Sequence, residues 1–124
     1  MTPNDGNGMP EGHRHNPEVE CTPVEVSERL KDETPFVLID CRTDQEREIA
    51  RIEPSIHAPM HELHQQLDDL RDHEDTEMVV YCHHGVRSLQ VTMLLRSEGF
   101  TNVRSMSGGI DLWSRVVDDA VPLY

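Results

Sequence analysis

The hydrophobic residues of this chain include two unbroken apolar runs, 36–39 and 78–81. Asp40 follows the first run and Cys82 follows the second. A strand with one wet face alternates apolar and polar side chains, whereas a strand covered on both faces does not. The two runs therefore predict strands that are buried on both sides.

Segments with helix signals lie around these runs. Capping-box sequences begin at Thr22 and Thr43, a leucine stripe covers 63–70, and residues 87–98 form a further segment that Gly99 would end. Short strands that alternate with helices are typical of an open, mainly parallel sheet between two helical layers. Ligands bind such sheets at the carboxyl ends of the strands, so we expect the chemistry there.

The chain has 124 residues, which suits one folded domain. Residues 1–17 are rich in proline, glycine and polar side chains, and they predict a disordered N-terminal arm before a domain at 18–124. The sequence has neither a signal-peptide pattern nor an apolar stretch long enough to span a bilayer. We therefore expect a cytoplasmic protein without a membrane role.

Acidic residues outnumber basic ones by 24 to 11, which gives a formal net charge of −13 with neutral histidine. Such a field repels nucleic acid and anionic lipid, so neither is expected as a partner. Any site for a small anion must be built locally.

Residues 82–88, Cys-His-His-Gly-Val-Arg-Ser, connect a predicted strand to a predicted helix. Inward-facing amides of a tight loop and the positive end of a helix both stabilise a thiolate. Gly85 permits the positive φ that such a loop needs, and Arg87 offers a donor for an anionic group or a brace for the loop. This pattern favours a reactive Cys82 over an inert core cysteine.

These residues resemble the rhodanese-homology domain family, whose catalytic cysteine heads a six-residue loop, as in Cys82–Arg87. The resemblance extends over about residues 18–124 and includes the family's Asp-x-Arg strand end, its acidic helix position, its proline after a short third strand and its closing segment. The matching residues are Leu38–Arg42, Glu46, Pro59, Gly99–Val103 and Gly108–Trp113.

The resemblance implies a three-layer α/β/α fold with a five-stranded, mainly parallel open sheet. It also implies a sulfurtransferase without a cofactor or metal. Cys82 would take sulfane sulfur from a donor such as thiosulfate and carry it as a persulfide. Cyanide, a thiol or a sulfur-carrier protein would accept it, and a thioredoxin-like reductant is a further partner.

The same resemblance assigns roles around Cys82. Asp40 and Arg42 are expected to form a structural ion pair beneath the loop, with Glu46 in support. The histidines could contact substrate through side chains or through backbone amides. The residues expected to bind substrate are His83, His84, Gly85, Val86, Arg87 and Ser88.

Several alternatives stay open at this point. Cys41 replaces a usual aliphatic residue, either as core packing or as a resolving thiol, and segment 50–55 departs from the family pattern near the loop mouth. A protein-partnered sulfur relay or a regulatory module is a second function. Cysteine phosphatases and arsenate reductases place one more residue between cysteine and arginine than the four found here. A metal site using His57, His61 and His64 with Cys82 is a further alternative, but no clear carboxylate or cysteine completes its ligand set, so no metal is expected.

Overall fold

The computed structural model describes residues 15–32 and 35–124. The strands are β1 (Glu20–Cys21), β2 (Phe36–Asp40), β3 (Ile56–His57), β4 (Glu77–Tyr81) and β5 (Val103–Met106). The helices are α1 (Pro23–Lys31), α2 (Asp44–Ile49), α3 (Leu63–Arg71), α4 (Val86–Ser97) and α5 (Gly109–Val116), and a 3₁₀ turn at Met60–Glu62 leads into α3. No helix in these two ranges is both long and apolar enough to cross a membrane.

Most of the predicted N-terminal arm, residues 1–14, lies outside the described residues, so its disorder stays a prediction. The described part begins at His15, whose Nδ1 lies 2.8 Å from the Ser107 hydroxyl oxygen.

The five strands form one sheet in the order β1-β5-β4-β2-β3, and every pair is parallel. Strands β2 and β4 lie at its centre, with Asp40 paired to Tyr81. The ladder continues past that pair, because the Cys41 amide donates to the Tyr81 carbonyl oxygen over 3.1 Å. Cys41 and Cys82 therefore follow neighbouring strands at the same edge of the sheet.

Alternate side chains of β2 and β4 enter two separate cores. Ile39 and Val80 pack with residues of α3 and α4. Leu38 and Val79 pack with residues of α1 and α5 on the other face. Both central strands are thus covered on both sides, which confirms the predicted three-layer α/β/α fold and its parallel sheet.

The helix ends follow local sequence signals. Thr22 and Thr43 each close a capping box at the start of α1 and α2. Gly99 has a φ of 98° after α4, and the Phe100 amide donates to the Leu95 carbonyl oxygen over 3.0 Å. This arrangement is the Schellman motif that satisfies the last carbonyls of a helix, and it confirms the predicted end.

Candidate active site

The loop between β4 and α4 folds its backbone around the Cys82 sulfur. Gly85 has a φ of 99°, and its amide donates to Cys82 Sγ over 3.1 Å. The Ser88 amide donates to the same sulfur over 3.3 Å from the first turn of α4. The predicted nest of inward-facing amides is therefore present, and its acceptor lies at the positive end of a twelve-residue helix.

Two hydroxyl groups extend this set of donors. Ser88 Oγ lies 3.4 Å from Cys82 Sγ and 2.7 Å from Ser105 Oγ. Ser88 Oγ also reaches the Gly85 carbonyl oxygen at 3.2 Å, but a hydroxyl has one proton and a thiolate is the stronger acceptor. Ser105 comes from β5 and was not identified from the sequence, since only the fold brings it to the loop.

The Cys82 side chain is only 1% exposed, yet its surroundings favour the thiolate. The neighbouring Cys41 thiol makes the largest contribution that favours the Cys82 thiolate. Burial opposes ionisation, but Cys41 and the loop donors together lower the pKa of the Cys82 thiol from 9.0 to about 5. The Cys82 thiol is therefore buried, yet its surroundings favour the thiolate form at neutral pH.

Arg87 braces the loop through Glu46. Its two terminal nitrogens donate to the two Glu46 oxygens over 2.7 and 2.8 Å, which joins α4 to α2. The Tyr124 hydroxyl also donates to Glu46, over 2.8 Å. These hydrogen bonds, Arg87 foremost, outweigh burial and lower the pKa of Glu46 to about 2. Of the two roles expected for Arg87, bracing is the one that its contacts show.

Asp40 and Arg42 form the predicted ion pair at the end of β2. The Arg42 side chain donates to both Asp40 oxygens over 2.9 Å, and both residues are fully buried. Arg47 adds a second cation at 3.0 Å, which the sequence did not indicate. Burial alone would raise the pKa of Asp40, but the two arginines lower it below its ordinary value.

The two loop histidines differ in their surroundings. The His83 ring stacks on Tyr124 and on His84, with ring centres 3.9 Å apart in each case. Burial and the neighbouring His84 lower the pKa of His83, so it is neutral at pH 7. His84 is half exposed, and its Nε2 lies 4.0 Å from an Asp111 oxygen. Val86, at the start of α4, is 48% exposed.

Within the described residues, one group places its potential metal ligands within 4.8 Å of one another, namely His83, His84 and Asp111. This group differs from the sequence alternative of His57, His61 and His64 with Cys82. His57 instead lies with its Nε2 2.8 Å from the Arg42 carbonyl oxygen.

The start of α5 holds the loop from the opposite side. The Ile110 amide donates to the Cys82 carbonyl oxygen over 2.9 Å, and the Asp111 amide donates to the His83 carbonyl oxygen over 3.1 Å. Gly109 lies against this backbone, and its φ of 62° is left-handed. The sequence showed Gly109 as part of a closing segment but did not place it in the site.

We expect Glu46→Gln to lose stability in a pH-dependent way. The folded pKa of Glu46 is depressed to about 2, so its stabilisation is complete above the unfolded value near 4.5 and is lost as the pH falls toward 2. Urea unfolding at pH 7, 4 and 3 measures the free-energy gap between wild type and variant. The gap should shrink across this series. Glu48→Gln, an exposed change on the same helix, controls for the lost charge. A free-energy gap between wild type and Glu46→Gln that stays constant with pH would contradict the ion-pair role of Glu46.

The sequence and the fold of this chain are both similar to those of known proteins. A rhodanese-like domain family model matches residues 22–116. The adenylyltransferase and sulfurtransferase MOCS3-1 of Zea mays is 33% identical over 105 residues, which span 81% of this chain but 22% of that protein. The thiosulfate sulfurtransferase GlpE of Pseudomonas syringae is 34% identical over 92 residues, covering 73% and 83% of the two chains. A crystal structure from Staphylococcus saprophyticus superposes with a TM-score of 0.72 at 26% identity, covering 84% and 98%.

Proposed function

We propose that this chain, which belongs to the rhodanese-like domain family, transfers sulfane sulfur through a persulfide on Cys82. One observation carries the proposal: the Gly85 and Ser88 amides both donate to the Cys82 sulfur at the head of α4. Those donors stabilise negative charge on a nucleophile, and they can hold a persulfide anion in the same way.

The reaction has two displacement steps. The Cys82 thiolate attacks the outer sulfur of thiosulfate, so that a new S–S bond forms while the donor's S–S bond breaks and sulfite leaves. Cyanide or a thiol then attacks the outer persulfide sulfur and regenerates the thiolate. Each step moves one sulfur atom and needs no cofactor or oxidant.

The charge around the loop bears on the choice of donor. Residues 82–88 contain a single arginine and no lysine, and Glu46 offsets that arginine in a chain of net charge −13. A dianion such as thiosulfate therefore gains little attraction. This favours, as a second candidate, a relay in which the donor or acceptor is a less charged persulfide or a carrier protein.

The same contacts weigh against phosphatase chemistry. A phosphatase loop uses its arginine to hold phosphate oxygens, whereas two terminal nitrogens of Arg87 are committed to Glu46. The four residues between Cys82 and Arg87 also make a smaller loop than those enzymes have.

Steady-state rates with thiosulfate and cyanide test the proposal. Parallel double-reciprocal lines and thiocyanate as product are expected from a covalent sulfur intermediate. Cysteine persulfide, which carries less net charge than thiosulfate, should give the higher kcat/KM as a second donor if a less charged donor is preferred. Release of phosphate from an aryl phosphate, without thiocyanate formation, would instead support a phosphatase.

The three cysteines are free and buried. A reducing cytoplasm keeps such thiols unpaired, and it is the compartment that we propose.

Arg87→Ala should lower kcat/KM for thiosulfate by about 10- to 30-fold. The change removes two charge-assisted hydrogen bonds that brace the loop, together with the remaining donors that could meet the substrate. Arg71→Ala loses the same charge near the far end of α4, where Arg71 donates to the Glu98 carbonyl oxygen, and it should leave the rate unchanged. Equal rates for Arg87→Ala and wild type would show that Arg87 has no role in the reaction.

A further inference from the structure

Cys41 and Cys82 lie side by side at the ends of the two central strands. Asp40 pairs with Tyr81 in the parallel register, and the next rung joins the Cys41 amide to the Tyr81 carbonyl oxygen. Neighbouring strands are about 4.8 Å apart, which is inside the Cα separation of about 4.4–6.8 Å that a disulfide spans. The backbone therefore places the two cysteines at a distance that a disulfide can bridge.

The side chains meet as well. Cys41 and Cys82 belong to the same buried core on one face of the sheet, and Cys82 is the largest influence on the pKa of the Cys41 thiol. The third cysteine, Cys21, packs in the core on the opposite face. It provides a natural control for any chemistry between the other two.

We propose that Cys41 is a resolving thiol, which attacks the Cys82 persulfide, releases hydrogen sulfide and leaves a Cys41–Cys82 disulfide. This inference rests on the proposed function, since it requires that Cys82 first carries sulfur. It adds a second activity to the site, namely the reduction of sulfane sulfur to sulfide at the expense of a dithiol.

The step balances without an outside oxidant. Cys41 Sγ bonds to Cys82 Sγ while the S–S bond of the persulfide breaks. The outer sulfur is reduced to sulfide and leaves as hydrogen sulfide with the proton of the Cys41 thiol. The Cys41 sulfur is oxidised to the disulfide level. A reducing dithiol then restores both thiols by disulfide exchange, supplying two electrons and two protons.

The resting site keeps the two cysteines in different states. The contact with Cys82, followed by burial, raises the pKa of the Cys41 thiol well above its ordinary value. Cys41 therefore stays protonated and does not compete with Cys82 for the sulfur donor. Cys41 reacts only after the Cys82 sulfur has become part of a persulfide.

A reductant has a route to this pair. Cys41 lines an open pocket of about 380 Å³ together with Thr43, Met60, His61 and Arg87. Cys41 itself is only 1% exposed, so an incoming thiolate would have to enter through this pocket to begin exchange at Cys41. A small dithiol or the exposed cysteine of a thioredoxin-like protein has the chemistry that fits.

The test uses the whole chain, fully reduced and then kept free of oxygen, with thiosulfate as the donor. Wild type and Cys21→Ser should each end about 2 Da lighter, with a Cys41–Cys82 cross-linked peptide and released sulfide. Cys41→Ser should instead keep a gain of about 32 Da on the peptide that holds Cys82. Peptide mapping of the wild type gives the answer even if the variant folds poorly.

The outcomes separate the two claims. A stable gain of about 32 Da in wild type, without the cross-link, would overturn the resolving role and leave the proposed function intact. No gain and no cross-link in any of the proteins would overturn both.

Discussion

Cys82→Ser reduces thiocyanate formation from thiosulfate and cyanide to the uncatalysed rate, a loss of about 1000-fold or more. The serine oxygen would occupy the place where the Gly85 and Ser88 amides point. A hydroxyl stays protonated at neutral pH even with those donors, and oxygen cannot carry the persulfide sulfur. The fold should persist because the substitution is nearly isosteric and the donors keep an acceptor.

Cys21→Ser is the matched control for this experiment. The substitution is chemically the same, but Cys21 lies in the core on the other face of the sheet. It should retain the wild-type rate at a temperature where both variants are folded, as monitored by circular dichroism. Full turnover in Cys82→Ser would show that Cys82 is not the nucleophile.

Gly109→Ala should lower kcat/KM by about 100-fold, because a shift of roughly 1 Å in a catalytic group has an effect of that size. A Cβ atom on Gly109 would lie 2.5 Å from the Cys82 carbonyl oxygen, and that neighbour is backbone that cannot rotate away. The loop or α5 must move, and either movement disturbs the amides around the sulfur. Overpacking and left-handed strain together should lower the free energy of unfolding by about 2–4 kcal/mol.

Gly99→Ala separates strain from steric displacement. Gly99 also has a positive φ, of 98°, but a Cβ there meets nothing within 4 Å. Its variant should lose about 1 kcal/mol of stability and keep the wild-type kcat/KM. Urea unfolding and steady-state rates on both variants make the comparison. An unaffected rate in Gly109→Ala would show that α5 does not position the loop.

The fold could be predicted wherever its cause is local. The apolar runs of β2 and β4 predict burial on both faces of the sheet. The capping boxes at Thr22 and Thr43 predict where α1 and α2 begin. The left-handed end of α4 at Gly99 has an equally local cause. Strands β1 and β3 are two residues long, so no periodic pattern could define their bounds.

The candidate site could be predicted only in part, because its supports come from distant parts of the chain. The sequence identified Arg87 and Glu46 separately, but their pairing spans 41 residues and depends on how α2 meets α4. Ser105 and Tyr124 carry no motif, and each reaches the loop only through the fold.

Burial of Cys82, the proposed nucleophile, is the finding that matters most for the proposed mechanism. A sequence pattern places Cys82 at the mouth of a loop but does not give its exposure, which is 1%. Such a sulfur would be inert if it faced only apolar atoms. Two amides, the Ser88 hydroxyl and the Cys41 thiol instead surround it, so burial and ionisation occur together.

Both proposals require that a Cys82 thiolate first takes up the sulfur at neutral pH, and the ultraviolet absorbance of the thiolate at pH 7 measures it directly. Burial raises the pKa of Cys21 to about 12, and Cys41 also stays protonated, so neither adds to the signal. The difference between wild type and Cys82→Ser should equal one thiolate per chain and should disappear as the pH falls through about 5. Equal absorbance of the two proteins at pH 7 would contradict the account.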